Sequence, residues 1–353
     1  MKFSAPALPA GAWAALLAAL LFGAGTPLAK LLLAQAGPWL LAALLYLGSG
    51  IGLALLRWLR RDPHVTLPAQ DRKWLAGAVL SGGVAGPVLL MFGLASMPAT
   101  SASLLLNAEG VFTALLAWLV FREHVGPRIA MGMLAIVAGG VVLAWPGRLD
   151  WPGLQPALFI MGACLAWAID NNLTRKVSLA DASWLAMVKG LAAGATNLAL
   201  ALALGASWPA WPVAAAAALV GLCSYGASLA LFVVALRELG SARTGAYFSV
   251  APFFGAMLAV LVLGEAVTLP LLVAGALMAL GVWLHLSERH VHGHAHDPME
   301  HTHEHVHGVG DPHHDHTHEP PVPAGTRHNH AHGHSAVVHT HAHFPDAHHR
   351  HEH

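Results

Sequence analysis

From Gly11 onward the chain repeats one pattern, an apolar run followed by a few polar residues. About twenty residues at 1.5 Å rise span the hydrocarbon of a bilayer. Runs of that scale fall near residues 11–34, 38–56, 74–95, 101–121, 129–146, 154–174, 183–204, 212–236, 243–263 and 269–287. The pattern predicts ten membrane helices, and the short connections make consecutive helices antiparallel. Pro38, Pro127, Pro212 and Pro270 stand at helix starts, where a missing N–H costs least. Lys2 and the first apolar run imitate a signal peptide. Because that run continues to Leu33 and further spans follow, it reads as a retained first helix.

The two halves are related. Sliding by 142 residues lays EGVFTALLAWLVFREHV, from Glu109, on APFFGAMLAVLVLGEAV, from Ala251, and pairs Glu123 with Glu265 and Gly139 with Gly281. A shift near 145 brings FGAGTPLAK onto WAIDNNLTRK, with Lys30 opposite Arg175. Five helices per half is an odd number, so the second half enters from the opposite side. The expected organisation is a repeat over 1–146, an inverted repeat over 147–289 and a tail over 290–353, with a substrate site near the midplane between the halves. Arg57, Arg60, Arg61, Arg72, Lys73, Arg122, Arg128, Arg175, Lys176, Arg237, Arg243 and Arg289 share the side of Lys2, whereas the other side holds Arg148 and the nearby Lys30. The positive-inside rule then puts both termini in the cytoplasm of a bacterial-type inner membrane.

Composition narrows the function. Hydrophobic residues make up 56% and charged residues 10% of the 353 positions, and mean hydropathy is +0.59. A soluble fold of this size needs more charge to cover its surface. No basic stripe with interleaved aromatics invites nucleic acid. No nucleophile–base pair or phosphate loop appears at a membrane face, so the chain reads as no enzyme, with no required cofactor. Cys164 and Cys223 lie in apolar runs and suggest no disulfide framework.

Charges at membrane depth cost at least about 2.5–3.5 kcal/mol each on insertion scales, so each needs a reason. Glu109 lies close to the midplane after Asn107, either as a cation- or proton-binding carboxylate or as a protonated or paired core group. Asp170 and Lys189 lie at similar depth on adjacent helices, as a buried pair that fixes packing or as a gate. Asn171, Asn172 and Asn197 are candidates for the same network. Glu123 and Glu265, at helix ends, read as structural. Lys30, near the outer mouth, either attracts anions or snorkels. Trp151, Trp208 and Trp211 read as interfacial anchors, Met91, Met131 and Met133 as packing, and His64, His124 and His285 receive no ligand role.

The tail holds 23 of the 26 histidines, mostly at alternate positions. His290, His292, His294, His296, His301, His303, His305, His307, His313, His314, His316, His318, His328, His330, His332 and His334 form the candidate metal-binding runs. With little apolar content the tail is expected to be disordered. Neutral imidazoles at alternate positions chelate Zn, Ni, Co or Cu ions. Protonation competes, and would make the tail an acid sensor.

Two segments, 101–145 and 241–282, each close with a helix, a Glu-containing turn and a Gly-rich helix. Together with the ten-helix repeat they resemble the EamA-type transporters of the drug/metabolite transporter superfamily. The resemblance covers roughly 11–287. It implies alternating access to a cavity between the halves and a small cargo, with amino acids and other metabolites as known examples. Glu109-Gly110 stand where such repeats usually carry a proline, which the second half keeps as Pro252. A histidine tail on such a body also resembles bacterial permeases suspected of handling divalent metals. The expectation is a proton-coupled exporter of Ni, Co or Zn ions. The alternative is a metabolite or amino-acid exporter whose tail is regulatory, with Lys30, Asn107, Phe22, Trp167 and Tyr225 against an organic cargo. The expected partners are the lipid bilayer, the cargo and protons, and a homodimer is compatible with the sequence.

Overall fold

The computed structural model describes residues 10–63, 65–121, 126–145, 151–177, 180–287, 291–296, 299–306, 327–334 and 337–342. The first half comprises α1 (Ala10–Leu33), α2 (Pro38–Arg60), α3 (Arg72–Ala78), α4 (Gly86–Ser96), α5 (Ala99–Leu105), α6 (Ala108–Phe121) and α7 (Pro127–Ala144). The second comprises α8 (Trp151–Arg175), α9 (Ala182–Ala203), α10 (Trp211–Gly221), α11 (Ser228–Phe248), α12 (Ala251–Leu263) and α13 (Leu269–Leu286). Among the described residues, nine helical stretches are long and apolar enough to cross a membrane, and α12 is a shorter apolar helix. The fold is therefore an all-helical membrane bundle of two five-helix repeats.

Two irregularities recur in both halves. A wide π-helical turn at Val79–Ala85 joins α3 to α4, and another at Leu222–Ala227 joins α10 to α11. A turn at Leu106–Asn107 separates α5 from α6, and one at Ser249–Val250 separates α11 from α12. Each pair starts 143 positions apart, Val79 to Leu222 and Leu106 to Ser249. Beyond the second turn α6 has 14 residues and α12 has 13, so the two glutamates that follow align at 142 instead. Sequence patterning predicts an unbroken fourth span and a loop near 237–242. Instead the fourth span breaks at Leu106–Asn107, while the backbone is helical throughout Ser228–Phe248. An apolar pattern reports burial in lipid and is blind to a one-turn change in backbone hydrogen bonding.

The repeats interlock. Helix α2 packs along its counterpart α9, and α7 along its counterpart α13. Helix α1 lies on α11 and α12, and in the mirrored arrangement α8 lies on α4 and α6. At the α2–α9 crossing the backbones touch, because a Cβ at Gly190 would lie 2.9 Å from Gly50 Cα. Small residues permit such contact, and van der Waals packing then holds helices that lipid gives no hydrophobic reason to associate. Leu40, Leu41, Leu45, Leu90, Leu94 and Ile160 fill the interior. Trp58, Leu119, Leu134, Trp211, Leu261 and Leu272 are left exposed, a surface suited to hydrocarbon and unsuited to water.

The tail forms a unit of its own. Its described stretches are β1 (Val291–His296), β2 (Met299–Val306), β3 (Arg327–His334) and β4 (Val337–Ala342). Strand β1 pairs antiparallel with β4, and β2 with β3. In these stretches histidine at every second position has the period of a strand.

Candidate functional site

The break at Leu106–Asn107 positions the first candidate. Asn107 is buried and donates its amide to Leu104 O at 2.9 Å, with Met278 Sδ at 3.9 Å. Its backbone N–H also reaches Leu104 O, at 3.0 Å, so main chain and side chain together cap the end of α5. Glu109 then falls in the first turn of α6, where Asn171 Nδ2 of α8 donates to its Oε1 at 2.8 Å. Asn171 also lies 3.5 Å from Thr113 Oγ1. The Glu109–Asn171 bond crosses from one repeat to the other. Among the described residues no basic side chain reaches Glu109 within ion-pair distance.

Asp170 is disposed differently. Buried on α8, it accepts from Lys189 Nζ of α9 at 2.6 and 2.7 Å and from Thr174 Oγ1 at 2.8 Å, and Lys189 also reaches Thr174 at 3.2 Å. The ion pair expected from depth alone is present. Its third member is Thr174, one helical turn from Asp170, and none of the three asparagines joins it. Asn171 serves Glu109, and Asn172 donates to Ala168 O at 2.9 Å. Asn197 donates to Gly83 O at 3.1 Å.

The pair abuts the first π-turn. A Cβ at Gly82 would lie 2.0 Å from Asp170 Oδ2, so only glycine fits there. Carbonyls displaced from helical bonding by a wide turn need other donors. Gly82 O receives Tyr46 Oη at 3.0 Å and Trp167 Nε1 at 2.9 Å, and Gly83 O receives Asn197. Asn197 Oδ1, fully buried, has no partner among the described residues. Tyr46 continues into an aromatic chain, with Tyr225 at 5.5 Å, Phe22 at 5.8 Å from Tyr225, and Phe248 at 5.4 Å from Phe22. Sequence reasoning missed Tyr46, Gly82 and Thr174; the i+4 spacing of Thr174 from Asp170 was the one available signal.

Other candidates resolve as structural. Lys30 does not offer its charge to cargo, because its ammonium donates to Leu94 O at 2.6 Å, Met97 O at 3.0 Å and Ala95 O at 3.3 Å. Glu265 accepts from Ala99 N at 2.7 Å and Thr100 N at 2.8 Å. A cation on the C-terminal carbonyls of α4 and an anion on the N-terminal amides of α5 suit both helix dipoles. Together they clamp the α4–α5 break from outside its own sequence. Glu123, His64 and His124 lie outside the described residues. His285 meets Ile129 O at 3.0 Å. Trp208 and Trp211 meet edge to face at 5.7 Å.

On the opposite side, Arg57 at the end of α2 donates to Asp181 Oδ1 at 2.6 Å and to Ser183, both at the start of α9. It also donates to Pro63 O at 3.1 Å and lies 3.6 Å from Asp62. This knot ties the repeats where α2 meets α9.

Among the described residues no three His, Cys, Asp or Glu side chains converge on a point that would hold a metal ion. His290, His307, His313, His314, His316 and His318 lie outside the described residues. In the ladders His301 stands opposite His332, His303 opposite His330 and His305 opposite His328. His292 likewise faces His341, and His294 faces His339.

Comparison with known proteins agrees with this architecture. The EamA-like transporter family matches twice, over residues 9–145 and 154–287. An uncharacterized transporter from Methanothermobacter thermautotrophicus is 30% identical over 287 residues, covering 76% of this chain and 83% of that protein. A crystal structure of a protein with 19% identity superposes with a TM-score of 0.59 over 77% of this chain and 95% of that one, a likeness of fold. The chain thus belongs to the EamA-like transporter family and is a multi-pass membrane transporter of small cargo.

Proposed function

We propose that this transporter works by proton-coupled alternating access, with Glu109 binding the coupling proton or the cargo cation and the two repeats rocking about the Glu109–Asn171 contact. The observation that carries this reading is a contrast between two carboxylates. Asp170 is neutralised by Lys189 at 2.6 Å, whereas Glu109 has only an uncharged amide at 2.8 Å. A carboxylate without a fixed cation at membrane depth is free to take up and release a positive charge. Asn107 holds the break that sets Glu109, Asn197 braces the neighbouring π-turn, and Lys189 neutralises Asp170 beside it. Basic residues gathered at one face support cytoplasmic termini in an inner membrane, with repeats over 1–146 and 147–289.

For cargo, the histidine tail supports divalent Ni, Co or Zn ions moving outward, with its imidazoles as the collecting ligands. A second reading has its own observation. The bundle offers no convergent set of metal donors among the described residues, but it does offer the aromatic chain of Phe22, Tyr46 and Tyr225. Those rings suit an amino acid or other organic metabolite, with the tail as metal or pH regulator. Removing residues 290–353 separates the two. A metal exporter loses flux chiefly at low ion concentration, whereas a metabolite exporter keeps its flux and loses only its response to added metal. Metal flux unchanged by tail removal at every ion concentration would sink the collecting role.

A further inference from the structure

The end of α2 carries a groove that transport does not explain. It has a volume of about 830 Å³ and is lined by Arg57, Trp58, Leu59, Arg61, Asp62 and Trp184, among others. That volume is on the scale of a small-molecule site. Arg57 is already committed to Asp181 and Asp62. Arg61 has no carboxylate within ion-pair distance among the described residues.

Arg61 is also the one described non-glycine residue with positive φ, at φ 54° and ψ 40°. Its N–H bonds Trp58 O at 3.2 Å, and Asp62 N bonds Arg57 O at 3.1 Å. This is the Schellman arrangement that ends a helix and ordinarily uses glycine. A branched-off Cβ makes the left-handed conformation unfavourable, so the position keeps an arginine against its own backbone preference. Such strain points to a use for the side chain.

Along the same face of α2, Ile51, Leu55, Trp58 and Leu59 are all exposed apolar residues, rising from the groove into the membrane span. An apolar track that ends in an uncommitted guanidinium beside a tryptophan fits one kind of molecule. We propose that the groove binds an anionic phospholipid, its phosphate on Arg61 and its acyl chains along Ile51, Leu55 and Leu59. The lipid would sit beside the Arg57–Asp181 tie between the repeats and stabilise the closed form of that face.

The test uses the full-length protein in nanodiscs and measures lipid retention by native mass spectrometry. Phosphatidylglycerol, phosphatidylcholine and inorganic phosphate are offered separately, to wild type, Arg61→Gly and Arg60→Gln. Wild type should prefer phosphatidylglycerol over phosphatidylcholine by about five-fold, the effect of one cation near a charged surface. Arg61→Gly should lose that preference while its thermal midpoint without lipid stays level or rises, since glycine relieves the left-handed strain. Arg60→Gln should retain the preference. Equal losses in both variants, a preference that survives Arg61→Gly, or phosphate binding as strong as phosphatidylglycerol binding would each overturn the proposal.

Discussion

Glu109, bonded to Asn171, and Asp170, the neighbour of Asn171 in sequence, behave as opposites, and the difference lies in what each touches. Asp170 is held by Lys189 and Thr174 beside a glycine that leaves no spare volume. Removing one member of a buried pair strands the other charge, at a cost of about 3–5 kcal/mol. Lys189→Met alone should therefore unfold at a markedly lower temperature in detergent, and Lys189→Met with Asp170→Asn should recover most of the loss. A double variant as unstable as the single one would mean that the pair is not the source of the stability. Glu109→Gln keeps the size and the bond to Asn171 and should leave the free energy of unfolding within about 0.5 kcal/mol of wild type. The Asp170–Lys189 pair was legible in the sequence because depth follows from residue counting along two adjacent helices. The partner of Glu109 was not, since Asn171 faces away from Asp170 by one helical step, and only the packing of α8 on α6 decides which neighbour it meets. For Lys30 the choice between attracting anions and snorkelling was open for a similar reason. Its place near a membrane surface was readable, but the carbonyls it caps exist only because α4 ends at Ser96.

At the scale of elements, the two halves reproduce each other's irregularities as well as their helices. The spans were legible as apolar runs. The π-turns and the paired breaks were not, because Val79–Ala85 and Leu222–Ala227 are as apolar and small as the helices around them. Polar caps give such points away only after folding, as with Asn197 on Gly83 O and Glu265 on α5. The start of α9 makes a further prediction. Burial pushes the Asp181 carboxyl up, but hydrogen bonds from Ser183 and from Trp184 N–H, with the Arg57 guanidinium, outweigh it and hold the group below its ordinary range. A carboxyl with a depressed folded pKa stabilises the fold above its ordinary value of about 3.9, and that contribution is lost as pH falls through the folded value. Thermal midpoints taken downward from about pH 6 should fall less steeply for Asp181→Asn than for wild type below about pH 4. Near neutral pH, Asp181→Asn should cost less than about 1 kcal/mol, because the pair is partly exposed. Asp181→Ala should cost roughly 1 kcal/mol more, because it also removes the helix cap on Trp184 N. Equal pH slopes for the wild type and Asp181→Asn would contradict this assignment.

For the whole molecule, the interlocking of counterpart helices means that neither repeat has a complete packing surface alone. Every helix that carries a polar candidate residue meets the other repeat: α6 on α8, α2 on α9, α1 on α12. In the proposed mechanism, motion between the repeats alters the surroundings of Glu109 and Asn171, whose bond crosses from α6 to α8 beside the first break. The most direct test is flux into proteoliposomes loaded with a metal-sensitive dye. Nickel, cobalt and zinc are offered separately across an imposed pH gradient, with wild type beside Glu109→Gln and folding and orientation verified. The account predicts saturable, gradient-driven flux of at least one ion in wild type, and its loss in Glu109→Gln. Wild-type flux that survives unchanged in the variant would contradict the role of Glu109, and no flux of any ion would contradict the metal cargo.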